Sequence, residues 1–391
     1  MLAYFRQRAG VVPKGQWLRL QQVFITRLKE QRYPSKTELD EVAPDHPVIF
    51  STGPDAVLNS RALELQGITK DTKAATGKVE LDPATGQPNG ILRSYEQFLK
   101  VPIASGRRPS SDDRMASLIK LMADYNSVGI TSIADRAAAP DEIEIYRALR
   151  QANKLTTRVF LNYHLQKPLQ PLADSEAEVR RVIADPLHKY DSFLWLRGLK
   201  VFLDGGMLTG SAYMREPWGK SAIYGITDEN YRGMRYIDNQ RLFELARLSL
   251  KSGLQFTAHT VGDGAVQALI DAYARVNREF PVRPTRPCLT HANFMTPDGI
   301  ETMSKIGIVA DMQPAWLERD GATLRRHFGD ARLRFFQPYA TLFKAGVMVG
   351  GGSDHMQKIG RRRSINMYDP WLGMWVALTR LPRWTDQPLH P

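Results

Sequence analysis

Apolar and polar positions divide the chain near residue 105. Beyond that point seven short apolar runs recur: GITSIAD at 129 to 135, TRVFLNYHL at 157 to 165, LRGLKVFLDGG at 196 to 206, GLQFTAHTVGD at 253 to 263, RPCLTHANF at 286 to 294, GIVADMQP at 307 to 314 and GVMVGGGSD at 346 to 354. Near-continuous apolar runs suit strands of a parallel sheet, whose two faces are both covered.

The segments between these runs carry helical spacing. Met115, Leu118, Ile119 and Met122 share one face of a helix that Ser111 can cap and Gly129 follows. Ala265, Leu269, Ile270, Tyr273 and Val276 form a second stripe. Thr296 reads as an N-cap with Pro297 at the first helical position, Ile300 and Met303 on the buried face and Gly307 at the end. Alternating strands and helices predict βα units and a parallel sheet, and seven in series predict a TIM-type (β/α)8 barrel over 106–391. Residues 1–105 lack that alternation. PVIFSTG at 47 to 53, a helix around Leu58 to Leu65 and the turn-rich DPATGQPNG at 82 to 90 predict a smaller α/β insertion.

Composition narrows the class. The chain has 391 residues, 43% hydrophobic and 24% charged, which is globular rather than disordered. No run of eighteen apolar residues is present, so no spanning helix and no membrane partner are expected. The single cysteine, Cys288, excludes an intramolecular disulfide and a multi-cysteine zinc site. Lys and Arg outnumber Asp and Glu by 53 to 41, a net charge of +12. The excess is scattered, densest in the short arginine run at 361 to 363, and no nucleic-acid-binding motif accompanies it. No nucleic-acid partner is therefore expected, and a homo-oligomer is left open. The N-terminus has no signal-peptide pattern, which makes the cytoplasm the expected compartment.

In a parallel barrel, chemistry sits at the C-terminal ends of the strands. The polar residues there are Asp135, His164, Lys200, His259, His291, Gln313 and Asp354. Two imidazoles and a carboxylate from different strands can converge on one metal ion, and a carboxylate can take a proton from an activated water. A lysine inside a dry strand end is costly as a bare ammonium and needs a partner or a changed charge. Each residue alone has a plainer role in the core, at the rim or in a turn. Their succession on one series of strands favours a site. Trp316 and Tyr213 are bulky enough to line a substrate pocket or to fill a core.

The motifs GPDAVLNSRALELQGIT (53 to 69), DPATGQPNGILR (82 to 93), LKVFLDGGMLTGSA (199 to 212), HTVGDGAV (259 to 266), THANFMTPDGIETMSKIGIVADMQPAW (290 to 316) and AGVMVGGGSDHM (345 to 356) occur in one order. Through them the chain resembles the amidohydrolase superfamily, in the branch holding the YtcJ-like and N-substituted formamide deformylase enzymes. The resemblance implies a metal-dependent hydrolase barrel that cleaves a non-peptide C–N bond, whether amide-like, N-formyl or cyclic. It implies Lys200, often carboxylated, together with His259, His291 and Asp354 as ligands of one or two divalent ions, zinc by preference. It implies Asp354 as the catalytic base and a small-molecule substrate as the partner. The same resemblance expects a His-x-His pair on a first strand, which this sequence lacks, and a β-sandwich from both chain ends. The chain is thus expected to carry strands 2 to 8 of a longer enzyme, with weakened activity. Pro54 stands where many relatives have histidine. The competing expectation is a non-catalytic barrel that only binds a ligand.

Overall fold

The computed structural model describes residues 1–103, 109–355, 359–361 and 364–389, so two arginines of the run at 361 to 363 lie outside the described residues. Two compact units are present. The first is Met1–Arg108 with Asp204–Tyr236, and the second is Pro109–Leu203 with Ile237–Pro391. Residues 204–236, which the sequence pattern places in the barrel region, therefore cluster with the N-terminal segment.

The first unit is built on a five-stranded sheet of β1 (Leu18–Leu20), β2 (Val48–Ser51), β3 (Ala56–Leu58), β4 (Lys78–Leu81) and β5 (Pro88–Arg93), in the spatial order β1-β2-β3-β5-β4. Only β1 and β2 are parallel; the other pairs are antiparallel. Ile49, Leu58, Leu92, Tyr95 and Phe98 pack beneath it. The expected helix lies at Ser60–Gln66. Asn59 caps it by accepting from the Ala62 amide at 3.0 Å, and Gly67 ends it in left-handed backbone.

Arg93, at the end of β5, explains why Asp204–Tyr236 belongs to this unit. Its guanidinium is fully buried and donates to the carbonyls of Thr209 at 2.7 Å and Tyr224 at 2.6 Å. It also meets Asp55 at 3.3 Å and Glu80 at 3.1 Å. A buried cation persists only when paired and hydrogen-bonded, and here every requirement is met from within the unit. Close backbone approach completes the segment: a Cβ on Gly233 would lie 1.9 Å from the Ala212 carbonyl oxygen, at a φ of +96°.

The second unit carries seven strands: β6 (Ser132–Ala138), β7 (Arg158–His164), β8 (Leu194–Phe202), β9 (Gln255–Thr260), β10 (Cys288–His291), β11 (Val309–Met312) and β12 (Val349–Gly351). They form one all-parallel sheet whose spatial order is the chain order. Each expected apolar run overlaps one of them, with β6 running three residues past its run and β8 starting two residues before its own. The capping expectation at Thr296 holds, its hydroxyl accepting from Gly299 N at 3.1 Å and Gly307 closing the helix Pro297–Ile306. The expected cap Ser111 moves by one residue. Ser110 caps the helix Ser111–Ser127 through a reciprocal pair with Asp113.

The sheet is curled. Arg136 of β6 donates through Nε to Asp311 of β11 at 2.6 Å, and its Nη1 donates to Asn162 of β7 at 3.1 Å and to Gln255 of β9 at 3.0 Å. The curl demands a glycine on β8, where a Cβ at Gly198 would sit 2.3 Å from the Gln255 carbonyl and 2.6 Å from Asn162 Nδ2. Among the described residues the parallel sheet has seven strands, the number expected for strands 2 to 8 of an eight-stranded barrel, and β6 and β12 are its edges. β10 is buried throughout, whereas Ser132 and Ala134 of β6 are exposed.

Candidate active site

Side chains alternate across a strand, so the face that holds Gln255 also holds Thr257 and His259. Register then aligns the interior residues. Lys200 pairs with His164 on one side and Thr257 on the other, and His259 pairs with Phe202 and Thr290. The chain leaves β10 with His291 and Ala292 both at positive φ, 84° and 45°, which turns the His291 ring toward its neighbours. The two imidazole centroids stand 4.6 Å apart, edge to face. Trp316 lies against His291 at 4.7 Å, and Phe202 against His259 at 5.6 Å and His164 at 5.2 Å. Lys200, His259 and His291 are thus brought together on adjacent strands.

Burial sets the charge of this group. Desolvation pushes His259 down to about 3, with the Lys200 charge adding to it. His291 lies well below the ordinary imidazole range for the same reason, with His259 and Lys200 contributing. Lys200 itself is lowered to about 8, mainly by burial. The Asp354 and Asp311 carboxylates oppose that shift and the Arg136 guanidinium reinforces it. Cys288, on the same interior, is pushed up to about 11 by burial.

Both imidazoles are therefore neutral at physiological pH, the form that ligates a metal ion. His291 Nδ1 meets Gln313 Oε1 at 2.7 Å, while Gln313 Nε2 donates to the Asp311 carbonyl at 3.0 Å. The amide orientation makes Nδ1 the protonated nitrogen and leaves the Nε2 lone pair for a cation, the arrangement that orients metal-binding histidines. In this respect the residues fit the expected ion.

The expected four-residue donor set is assembled less fully. Asp354 follows β12 at φ 47° and is exposed, while both histidines and Lys200 are inside. Among the described residues, no group of three or more His, Cys, Asp and Glu is placed to hold a metal ion. Trp316 is buried beside His291. Tyr213 lies in the first unit, its amide donating to Asp204 at 3.1 Å and Arg235 facing its ring at 5.8 Å. Asp135 points to the helix Pro140–Gln151, accepting from the Tyr146 hydroxyl at 3.2 Å, so Arg136 rather than Asp135 faces the interior. Sequence reasoning missed Arg136 and Asp311. Alternation within ADR and VADM would have found them had the strand phase been fixed first. Beside Asp311, β12 brings only glycine: ideal Cβ atoms at Gly350 and Gly352 would stand 3.7 Å and 3.6 Å from Asp311 Oδ1.

The sequence matches the amidohydrolase family over residues 1–387. The chain belongs to that family. It is 27% identical over 399 residues to the N-substituted formamide deformylase of Arthrobacter pascens, covering 97% of this chain and 67% of that protein. It is 26% identical over 334 residues to the protein LONG AFTER FAR-RED 3 of Arabidopsis thaliana, covering 82% of this chain and 54% of that protein. The chain thus spans between about half and two thirds of the length of these relatives. Among solved structures, an uncharacterized metal-dependent hydrolase of Pyrococcus horikoshii superposes with a TM-score of 0.61 at 19% identity. The match covers 97% of this amidohydrolase and 68% of that chain. This likeness concerns the fold. Among the described residues no helix is long and apolar enough to cross a membrane.

Proposed function

We propose that this amidohydrolase cleaves a non-peptide C–N bond of a small molecule, an N-formyl, amide-like or cyclic amide group, with the help of a divalent ion, zinc by preference. The observation that carries the reading is the neutral His259–His291 pair, 4.6 Å apart beside the buried Lys200. These imidazoles, with Lys200 as amine or carbamate and Asp354, would hold one or two ions. A divalent cation supplies Lewis-acid polarisation of a carbonyl and acidifies water. Asp354 takes the proton of the attacking water and returns it to the departing nitrogen. Gln313 fixes the His291 ring, and Trp316 covers its face and excludes water. The N-substituted formamide deformylase relative supports the substrate class.

The test is elemental analysis of the purified protein with hydrolysis of N-substituted formamides, before and after zinc loading. Zinc-dependent turnover that His259→Ala and His291→Ala abolish is the expected result. Turnover untouched by both substitutions and by chelation would overturn it. A second reading, ligand binding without turnover, is favoured by the lack of a three-donor cluster among the described residues. Saturable binding of a formamide by a zinc-loaded protein that releases no amine would select that reading.

A further inference from the structure

Asp354 stands in left-handed backbone, an uncommon conformation that aspartate tolerates better than most residues with a Cβ. Its φ of 47° is in the left-handed region, which most residues with a Cβ avoid. Such a conformation persists where the surroundings over-determine it. Here the surroundings can be named. Asn366 is fully buried, and its Nδ2 donates to the Asp354 carbonyl oxygen at 2.5 Å. The next residue, His355, turns the opposite way from the exposed Asp354 and is buried. Its Nε2 is hydrogen-bonded to the Tyr125 hydroxyl. Its ring packs edge-on against Tyr125 at 5.3 Å and tilted against Tyr368 at 4.4 Å. Tyr368 in turn donates its hydroxyl to the Asp124 carboxylate and accepts from Gly360 N at 2.7 Å.

Asp124 and Tyr125 are neighbours in the last two turns of the helix Ser111–Ser127, which precedes β6. His355 and Tyr368 are thus both moored to one short piece of that helix. We propose that Tyr125, through His355, and Asn366, through the Asp354 carbonyl, are positioning residues that aim the Asp354 carboxylate. Neither touches the reacting atoms. Both fix the backbone from which the carboxylate projects, and a displacement of about 1 Å at a reacting group costs on the order of 100-fold in rate.

The kinetic side of this inference rests on the proposed hydrolase activity, so the experiment has two separate arms. In the first, hydrogen exchange of the backbone amides across 349–355 is compared in wild type, Tyr125→Phe and Asn366→Ala, without reference to turnover. Exchange at least tenfold faster in both variants, with β8 to β10 unchanged, is expected. Unchanged exchange in both variants overturns the proposal. In the second, formamide hydrolysis by the zinc-loaded protein should lose tenfold or more in kcat in Tyr125→Phe with KM within twofold. The same change made in an Asp354→Asn background should cost nothing further. Faster exchange with unaltered kcat would reduce the contact to a merely structural one and refute the positioning role. A wild-type protein with no turnover would defeat the proposed function alone, while the exchange arm would still decide whether Tyr125 and Asn366 hold Asp354.

Discussion

The Arg136 Nε lies 2.6 Å from the Asp311 carboxylate although five strand-to-strand steps separate β6 from β11. On a flat sheet, at about 4.8 Å per step, these strands would stand about 24 Å apart. The ion pair therefore spans the concave side of the curl. It lies in the same interior as the histidine pair, and its two charges act in opposite directions on Lys200.

Removing one member of this pair should leave the other charge in a mostly enclosed place. Arg136→Met and Asp311→Leu are each expected to destabilise the protein by about 2–4 kcal/mol, and the double replacement by less than either single change. Urea denaturation of the three variants measures this. Single variants within about 0.5 kcal/mol of wild type would mean that the pair contributes nothing to the curl.

Acid should weaken the fold through the buried imidazoles. His259 is depressed from 6.5 to about 3, so between those values the unfolded chain binds a proton that the folded chain refuses. Its contribution is complete above pH 6.5 and is lost as pH falls toward 3. The loss is expected to be a few kcal/mol at most, since each tenfold change in proton affinity is worth about 1.4 kcal/mol. Carboxylates act in the same direction, so the informative measurement is a difference. In chelator-treated protein, His259→Gln should show a shallower fall in stability between pH 7 and pH 4.5 than wild type. Parallel curves would mean that His259 is not desolvated.

Arg93 should be the least replaceable residue of the first unit. Arg93→Met strands Asp55 and Glu80 and frees two buried carbonyls, a change worth about 3–5 kcal/mol. Arg93→Lys keeps the charge but cannot reach all four partners in a planar fork. The expected signature is rapid protease cleavage within 204–236 in both variants, with the second unit still protected. Equal resistance of Arg93→Lys and wild type would reduce the guanidinium to a simple counter-charge.

Much of the fold is legible in the sequence because a parallel sheet writes itself as apolar runs. RPCLTHANF and GIVADMQP each contain a strand, and Thr296, Pro297 and Gly307 mark a helix at both ends. The assignment of 204–236 is not legible. It follows from long-range bonds of Arg93 to Thr209 and Tyr224, and neither carbonyl has a signature in residue type. Of the candidate site, Lys200, His259 and His291 can be read from their places after apolar runs. Arg136 cannot, because the neighbouring Asp135 is as polar and only the phase of β6 separates inward from outward. The role of His355 is hidden in a different way. Its partner Tyr125 is 230 residues distant and sits in a helix that carries no chemistry of its own.

The three glycines at 350 to 352 give β12 a further meaning. None of them has positive φ, and an added methyl at Gly350 or Gly352 would meet Asp311 only at ordinary contact distance, while Gly351 would meet nothing within 4 Å. Backbone geometry therefore does not require glycine there. One wall beside the site is bare peptide where the methyl of an alanine would fit without a close contact. Such a wall can be thickened one carbon at a time, so the shape of the molecule admitted to the site can drift across generations while the sheet that holds His259 and His291 stays as it is.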